Sequence, residues 1–141
     1  MGLRYWPLGT PRVLVVDDDR DLCDLLCDFL VEEGYAVIKA YGGQDAIDAA
    51  RQSRPDAVLL DLLLPDVSGV MVGRALRELA GARDIPVVII SGDRAALARS
   101  AADLGAHSFL EKPFSLAAVR TAVQDALSRA PGADIAQGPG P

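Results

Sequence analysis

Short apolar runs alternate along the chain with longer amphipathic stretches, and this pattern predicts five strands and five helices. Between the runs, hydrophobic residues recur every three or four positions, which is the spacing of one helix face. The first predicted helix ends at Gly34, the second begins at Gly42-Gly43, and the third passes through Val72 and Leu79. The fourth covers about 94–104 and the fifth about 115–129. The predicted strands are 12–16, 35–40, 57–60, 85–90 and 108–111.

Regular alternation of strands and helices predicts a parallel sheet, because each connection between parallel strands crosses one face of the sheet. The strands are almost wholly apolar, which is typical of a sheet covered on both faces. The predicted fold class is therefore α/β: a five-stranded parallel sheet with five helices on its two faces. We adopt the flavodoxin-like strand order 2-1-3-4-5, which makes strands one, three, four and five consecutive neighbours.

The domain organisation follows from the same pattern. Residues 12–129 form the predicted domain, 1–11 an N-terminal extension, and the Pro/Gly-rich segment 130–141 a disordered tail. The 14 basic and 20 acidic residues give a net charge of −6, so direct nucleic-acid binding is not predicted. No apolar run approaches the roughly 20 residues that span a bilayer, and 1–11 lacks a signal-peptide core. We therefore expect a cytoplasmic protein without a membrane partner.

Two cysteines, Cys23 and Cys27, lie four residues apart in the first predicted helix. Helix neighbours at this spacing have Cβ atoms about 5–6 Å apart, whereas a disulfide needs about 3.5–4.5 Å. No further cysteine or nearby histidine completes a metal site. The sequence therefore predicts two free thiols that are buried or half-buried.

Polar side chains stand where four of the five predicted strands end. Asp17 and Asp18 follow the first strand, Asp61 the third, Ser91 the fourth and Lys112 the fifth. In open parallel sheets, sites form outside the carboxyl ends of the strands. Given the adopted strand order, we expect these five side chains to meet at one edge of the sheet.

Their chemistry suits the transfer of a phosphoryl group. Three neighbouring carboxylates repel one another unless a cation lies between them, and oxygen ligands of this kind suit Mg²⁺. A metal ion and a lysine together stabilise the charge on a phosphoryl group in transit. A carboxylate can act as the nucleophile and form an acyl phosphate.

Each of these residues also has a simpler interpretation. The acidic run 17–19 is compatible with helix capping, which we expect of Asp19 in any case. Ser91 could be a turn residue, Lys112 a surface lysine and His107 a structural histidine. Asp61 is harder to explain, because it interrupts the apolar run AVLLDLLLP, where a lone charge is costly. The functional interpretation depends on all five positions falling at strand ends.

At this point the chain resembles the receiver (CheY-like) family of two-component response regulators, over about 11–129. The matching segments are VVDDD at 15–19, LLDLLLPDVSG at 59–69, VVIIS at 87–91 and EKPF at 111–114. The resemblance implies that Asp61 is the phosphoacceptor. It also implies that Mg²⁺ is held by Asp18 and Asp61, by the backbone carbonyl of Leu63, and by Asp17 chiefly through water.

The resemblance assigns further roles. Ser91 and Lys112 would bind the phosphoryl group, Ser91 and Phe109 would form the conformational switch, and the Lys112–Pro113 bond would be cis. The chain would be a signalling domain and not an enzyme. A sensor histidine kinase or a histidine phosphotransfer protein would phosphorylate it. A downstream protein would bind the face made by the fourth helix, the fifth strand and the fifth helix.

Several expectations about the whole protein follow. We expect a stand-alone receiver or a phosphorelay intermediate, monomeric or weakly dimeric; the alternative is a receiver fragment of a larger regulator or hybrid kinase. A haloacid-dehalogenase-like phosphatase is a remote alternative, since Asp17 and Asp19 fit its D-x-D opening but Asp21 does not fit the next position. A dead pseudo-receiver is disfavoured because all five site residues are present. Leu63 offers no polar side chain to an attacking water, which predicts a long-lived phosphorylated state.

Overall fold

The computed structural model describes residues 9–80 and 85–128 of the 141-residue chain. The predicted tail and most of the predicted N-terminal extension lie outside these described residues. Strands and helices alternate throughout the described part, as the apolar pattern predicted. The elements are β1 (Arg12–Val16), α1 (Arg20–Glu32), β2 (Ala36–Ala40), α2 (Gly43–Ser53), β3 (Ala57–Asp61), α3 (Gly69–Ala80), β4 (Val87–Ser91), α4 (Arg94–Leu104), β5 (Ser108–Glu111) and α5 (Leu116–Ser128).

All five strands form one parallel sheet in the order β2-β1-β3-β4-β5, which confirms the predicted fold class. The register brings the carboxyl ends to nearly the same level. Val16 pairs with Leu60, Asp61 pairs with Ile90, and Ser91 pairs with Glu111. The residues that follow β1, β3, β4 and β5 therefore come out at one edge of the sheet.

Helices cover both faces of the sheet, and each face has its own core. Alternate residues of every strand point to opposite sides, so Val15 and Leu59 belong to one core while Leu14 and Leu60 belong to the other. The first core includes Leu26 of α1 and residues of α5; the second includes residues of α2, α3 and α4. Every residue of β3 and β4 is buried, which explains why these strands lack polar alternation.

The element boundaries differ from the predicted ones by one or two residues. β4 begins at Val87 and not at 85, since Pro86 has no amide hydrogen to donate to the ladder. α5 begins after Ser115, because the Ser115 hydroxyl accepts the Ala118 N–H at 3.0 Å and so acts as a cap.

Two other sequence-based expectations can be compared with the described residues. Cys23 and Cys27 are both buried free thiols, as the spacing predicted. Among the helices described, none combines the length and the hydropathy that a bilayer crossing requires.

Candidate functional site

Three aspartates meet at the carboxyl edge of the sheet. One carboxylate oxygen from each of Asp17, Asp18 and Asp61 lies within 4.8 Å of the other two. Asp17 is 0% exposed and Asp61 3% exposed, whereas Asp18 is exposed to solvent. The sheet register therefore brings Asp61 beside two neighbouring aspartates that precede it by 43 and 44 positions, and two of the three residues are buried.

The loop after β1 holds Asp17 in place. Its backbone N–H donates to Ala40 O of β2 at 3.2 Å, and its Oδ1 accepts the Asp19 N–H at 2.9 Å. Asp19 in turn caps α1 by accepting the Leu22 N–H at 3.2 Å, so the capping role expected of Asp19 is confirmed. The acidic run therefore contains one helix cap and two residues that belong to the cluster.

Lys112 is the cation of the cluster. Its Nζ lies 3.2 Å from Asp17 Oδ2 and 3.2 Å from Asp61 Oδ2, with about a quarter of the side chain exposed. The Lys112 N–H donates to Ser91 O at 2.9 Å, which ties the end of β5 to the end of β4. The Lys112–Pro113 peptide bond is cis.

The pKa values of Asp17 and Lys112 are both raised, for different physical reasons. Burial raises the pKa of Asp17 above its ordinary value and the charge of Asp61 raises it further, although the Asp19 N–H and Lys112 lower it. Burial lowers the pKa of Lys112, but the charges of Asp61 and Asp17 together outweigh it, so the net shift is upward. The lysine is therefore held in its charged form between two buried carboxylates.

The donor atoms of the acidic cluster suit a metal ion. Asp17 Oδ2 is buried and has no hydrogen-bond donor among the described residues; its contact with Lys112 is an ion pair without hydrogen-bond geometry. The three ligand atoms are all carboxylate oxygens, the type that a hard divalent ion such as Mg²⁺ prefers. An unsatisfied buried oxygen in an all-oxygen cluster fits the expected ion.

Asp61 itself is held by both of its oxygens. Oδ1 accepts the Leu63 N–H at 3.0 Å, and Oδ2 accepts from Lys112 Nζ at 3.2 Å. The Leu63 side chain is 64% exposed on the loop that follows β3. The carboxylate therefore has a defined orientation at the end of the central strand.

Ser91 lies at the same edge, buried at the end of β4. Its Oγ accepts the Asp93 N–H at 3.0 Å. Asp93 caps α4, because its Oδ1 accepts the Ala96 N–H at 3.1 Å and its carbonyl accepts the Leu97 N–H. The hydroxyl is thus part of the turn that starts α4.

The remaining predicted residues lie away from the acidic cluster. Phe109 is in β5 with 55% of its surface exposed, on the face that the resemblance implies for signalling. His107 Nε2 lies within hydrogen-bonding distance of Asp125 Oδ2 of α5, at 2.8 Å, near the amino end of β5, which agrees with a structural role.

Sequence reasoning missed Asp66, in the loop between β3 and α3. Its two carboxylate oxygens accept the N–H groups of Gly43 and Gln44 at 2.9 and 3.1 Å. The signal that could have found it is Gly42, which begins α2 without a side chain able to cap the helix. Such a helix needs its acceptor from elsewhere in the fold.

Comparison with known proteins gives consistent matches. The family model described as the response regulator receiver domain matches residues 13–124. Response regulator MprA of Mycobacterium bovis is 35% identical over 127 residues, covering 89% of this chain and 54% of the relative. Transcriptional regulatory protein PrrA of Mycobacterium tuberculosis is 40% identical over 121 residues, covering 85% and 51%. The chain therefore spans about half the length of these curated relatives.

Solved structures agree with these matches. The signal receiver domain of a LuxO repressor protein from Vibrio parahaemolyticus superimposes with a TM-score of 0.78 at 34% identity, covering 92% of this chain and 99% of that one. The receiver domain of NtrX from Brucella abortus gives 0.75 at 32% identity, covering 83% and 98%. A CheY-like receiver domain protein from Methanospirillum hungatei gives 0.79 at 21% identity, covering 85% and 95%, and supports the fold alone.

Proposed function

The chain belongs to the response regulator receiver domain family, and from this we propose that it accepts a phosphoryl group on Asp61 in a Mg²⁺-dependent reaction. The donor would be a sensor histidine kinase or a histidine phosphotransfer protein. The observation that carries the proposal is the pairing of the buried Asp61 carboxylate with Lys112, beside two further carboxylates. The family match over residues 13–124 supports this reading over the phosphatase alternative.

In the proposed reaction, Asp61 is the nucleophile. One of its oxygens attacks phosphorus, the bond from phosphorus to the donor's histidine nitrogen breaks, and the electron pair returns to the imidazole. The contacts from Leu63 N–H and Lys112 hold the carboxylate plane before the attack. Little covalent chemistry is asked of the protein, so this positioning is its main contribution.

Lys112 and Ser91 would stabilise the transferred group. The Lys112 ammonium, charged in this environment, can stay beside Asp61 and neutralise a phosphoryl oxygen. The Ser91 hydroxyl at the neighbouring strand end can donate a hydrogen bond to a second oxygen once it turns from the Asp93 N–H.

Asp17, Asp18 and Asp61 would hold the Mg²⁺, with the Leu63 carbonyl as a further ligand. When bound, the ion would neutralise negative charge on the phosphoryl oxygens. Asp17 Oδ2 supports this assignment, since this buried oxygen has an ion pair with Lys112 but accepts no hydrogen bond, and so keeps capacity for a further cation.

Phosphorylation would act on a partner protein by changing the conformation of one face of the domain. We propose that Ser91 and Phe109 form the switch and that a protein partner binds the face of α4, β5 and α5. The exposed aromatic ring of Phe109 supports this, because such rings are common in binding surfaces. The matched region covers only 54% and 51% of these curated relatives, which supports a receiver within a longer regulator over a stand-alone one.

The experiment that tests the acceptor uses acetyl phosphate and Mg²⁺ with detection by intact mass. We expect wild type to gain one phosphoryl group and Asp61→Asn to gain none. Asp45→Asn is the matched control, because it removes an exposed aspartate outside the cluster and should be labelled like wild type. Labelling of Asp61→Asn at the wild-type level would refute the assignment.

A further inference from the structure

The two ends of the loop between β3 and α3 are in direct contact. The Gly69 N–H donates to Leu62 O at 3.2 Å, and a Cβ on Gly69 would lie 2.7 Å from Leu62 Cα and 2.9 Å from Asp61 O. This close approach allows only glycine at the end of the loop. The loop begins at the proposed acceptor and carries Leu63, whose N–H contacts the Asp61 carboxylate.

The middle of this loop is attached to α2. Asp66 accepts hydrogen bonds from both Gly43 and Gln44, the first two residues of α2. These are charge-assisted bonds to the positive end of the helix, stronger than bonds between neutral groups. They also hold the pKa of Asp66 below its ordinary value.

Glycine at position 43 makes this attachment possible. A Cβ there would lie 2.8 Å from Val67 Cβ and 3.0 Å from Val72 Cγ2. Any larger side chain would force α2 and the loop apart. Two independent features, an acceptor in the loop and a missing side chain on the helix, therefore serve one close contact.

We propose that Asp66 is a positioning residue for the phosphorylation site: it anchors the β3–α3 loop on α2 and thereby holds Leu63 and the Asp61 carboxylate in the arrangement that binds Mg²⁺. The inference rests on the proposed function, because it assumes that Asp61 and the Leu63 carbonyl are metal ligands. Asp66 does not touch the reacting groups. Its effect reaches the site through the two residues between it and Leu63, which are Leu64 and Pro65, and through the Leu63 N–H bond to Asp61.

The test compares Asp66→Ala with Asp45→Ala by calorimetric titration of Mg²⁺ into the unphosphorylated proteins. Both variants remove one negative charge near the N-terminal turn of α2, but only Asp66 belongs to the loop. We expect Asp66→Ala to weaken Mg²⁺ binding about fivefold, the factor that corresponds to one lost capping interaction. Asp45→Ala should bind Mg²⁺ like wild type.

A second readout separates positioning from a purely structural role. Phosphorylation of Asp66→Ala by acetyl phosphate should need more Mg²⁺ for half of the maximal rate, yet reach the wild-type rate at saturating Mg²⁺. Reduced thermal stability with unchanged Mg²⁺ affinity would overturn the proposal, and so would a rate deficit that persists at saturating Mg²⁺. If Asp66→Ala does not fold, Asp66→Asn, which keeps one acceptor oxygen, should weaken binding about twofold, and no change would overturn the proposal.

The two proposals fail in different ways. Mg²⁺ titration needs no phosphoryl transfer, so a weaker affinity in Asp66→Ala combined with labelling of Asp61→Asn would reject the acceptor assignment and keep the role of Asp66. If wild type is labelled on Asp61 but wild type and Asp66→Ala bind Mg²⁺ with equal affinity, only the role of Asp66 is rejected.

Discussion

Removing the Lys112 ammonium should make the stability of this protein depend on Mg²⁺. Lys112 lies 3.2 Å from both Asp17 and Asp61, whose carboxylates are buried. In Lys112→Met, the two carboxylates keep their burial and lose their cation. Methionine preserves most of the apolar stem, so the change is mainly one of charge.

The magnitude follows from the geometry. At an effective dielectric constant of about 20, each contact at this distance is worth about 5 kcal/mol before desolvation. Breaking a buried ion pair by removing one partner typically destabilises by about 3–5 kcal/mol. Because the Lys112 side chain is 28% exposed, solvent screens part of this effect. We therefore expect the free energy of unfolding to fall by about 2–3 kcal/mol without divalent cations.

Urea denaturation in EDTA measures the loss of stability, and urea denaturation in saturating Mg²⁺ measures how much of that loss the metal restores. Mg²⁺ at ten times its dissociation constant stabilises a protein by about 1.4 kcal/mol. The variant should gain more than wild type, because its cluster has lost the competing positive charge. Lys39→Met is the matched control, because its ion pair with Asp24 at 2.8 Å is exposed to solvent and such pairs contribute little to stability.

Two results would refute this reasoning. If Lys112→Met loses no more stability than Lys39→Met in EDTA, the buried carboxylates do not depend on the ammonium. If the deficit of Lys112→Met is the same with Mg²⁺ as without it, the metal and the lysine do not neutralise the same charges.

Three further predictions follow from single contacts. Leu63→Asn should speed the loss of the phosphoryl group about fivefold, since one added hydrogen bond to the attacking water is worth about 1 kcal/mol; decay of the labelled protein at the wild-type rate would contradict this. The hydrogen bonds from Lys39 and Tyr41 lower the pKa of Asp24, so their stabilisation is complete above pH 3.8 and is lost as the pH falls through the lowered pKa. As the pH falls, the free energy of unfolding of Asp24→Asn should therefore decrease less steeply than that of wild type. Parallel curves of unfolding free energy against pH would contradict this prediction. Gly105→Ala should destabilise by about 1–2 kcal/mol in urea, because φ is +60° and the new Cβ would displace the Arg77 guanidinium, which donates to Gly105 O; a neutral result would show that the turn adapts.

Much of the candidate site was predictable because a parallel sheet converts sequence pattern into proximity. Asp17, Asp61 and Lys112 each stand directly at the end of an apolar run, or one residue beyond it. Strand order and register then bring their backbones to one edge of the sheet, and the loops have only to orient the side chains. The same argument extends to Ser91, whose position depends only on where β4 ends.

Asp66 was not predictable in this way, because its partners depend on how a loop folds over a helix. Gly42-Gly43 suggested only the start of a helix. Glycine is permissive about backbone conformation, so the pair carries no information about which group fills the missing cap. The close approach that requires Gly43 arises from Val67 and Val72, which join the neighbourhood only after the sheet and α3 are in place.

Ser91 shows a further limit of sequence reasoning, since a hydroxyl at a strand end does not reveal its present partner. In the structure, the partner is the Asp93 N–H at the start of α4. Under the proposed function, the Ser91 oxygen would move toward the phosphoryl group to donate its hydrogen, and this movement would cost the bond from Asp93, about 1 kcal/mol, which a charge-assisted bond to the phosphoryl group would offset. Asp93 still caps α4 through Ala96, so the helix keeps its own cap while its connection to β4 is weakened. In the proposed switch, this exchange would favour a shift of the first turn of α4 relative to the sheet over unfolding of that turn, and the shift would carry a change at one hydroxyl to the face beside β5.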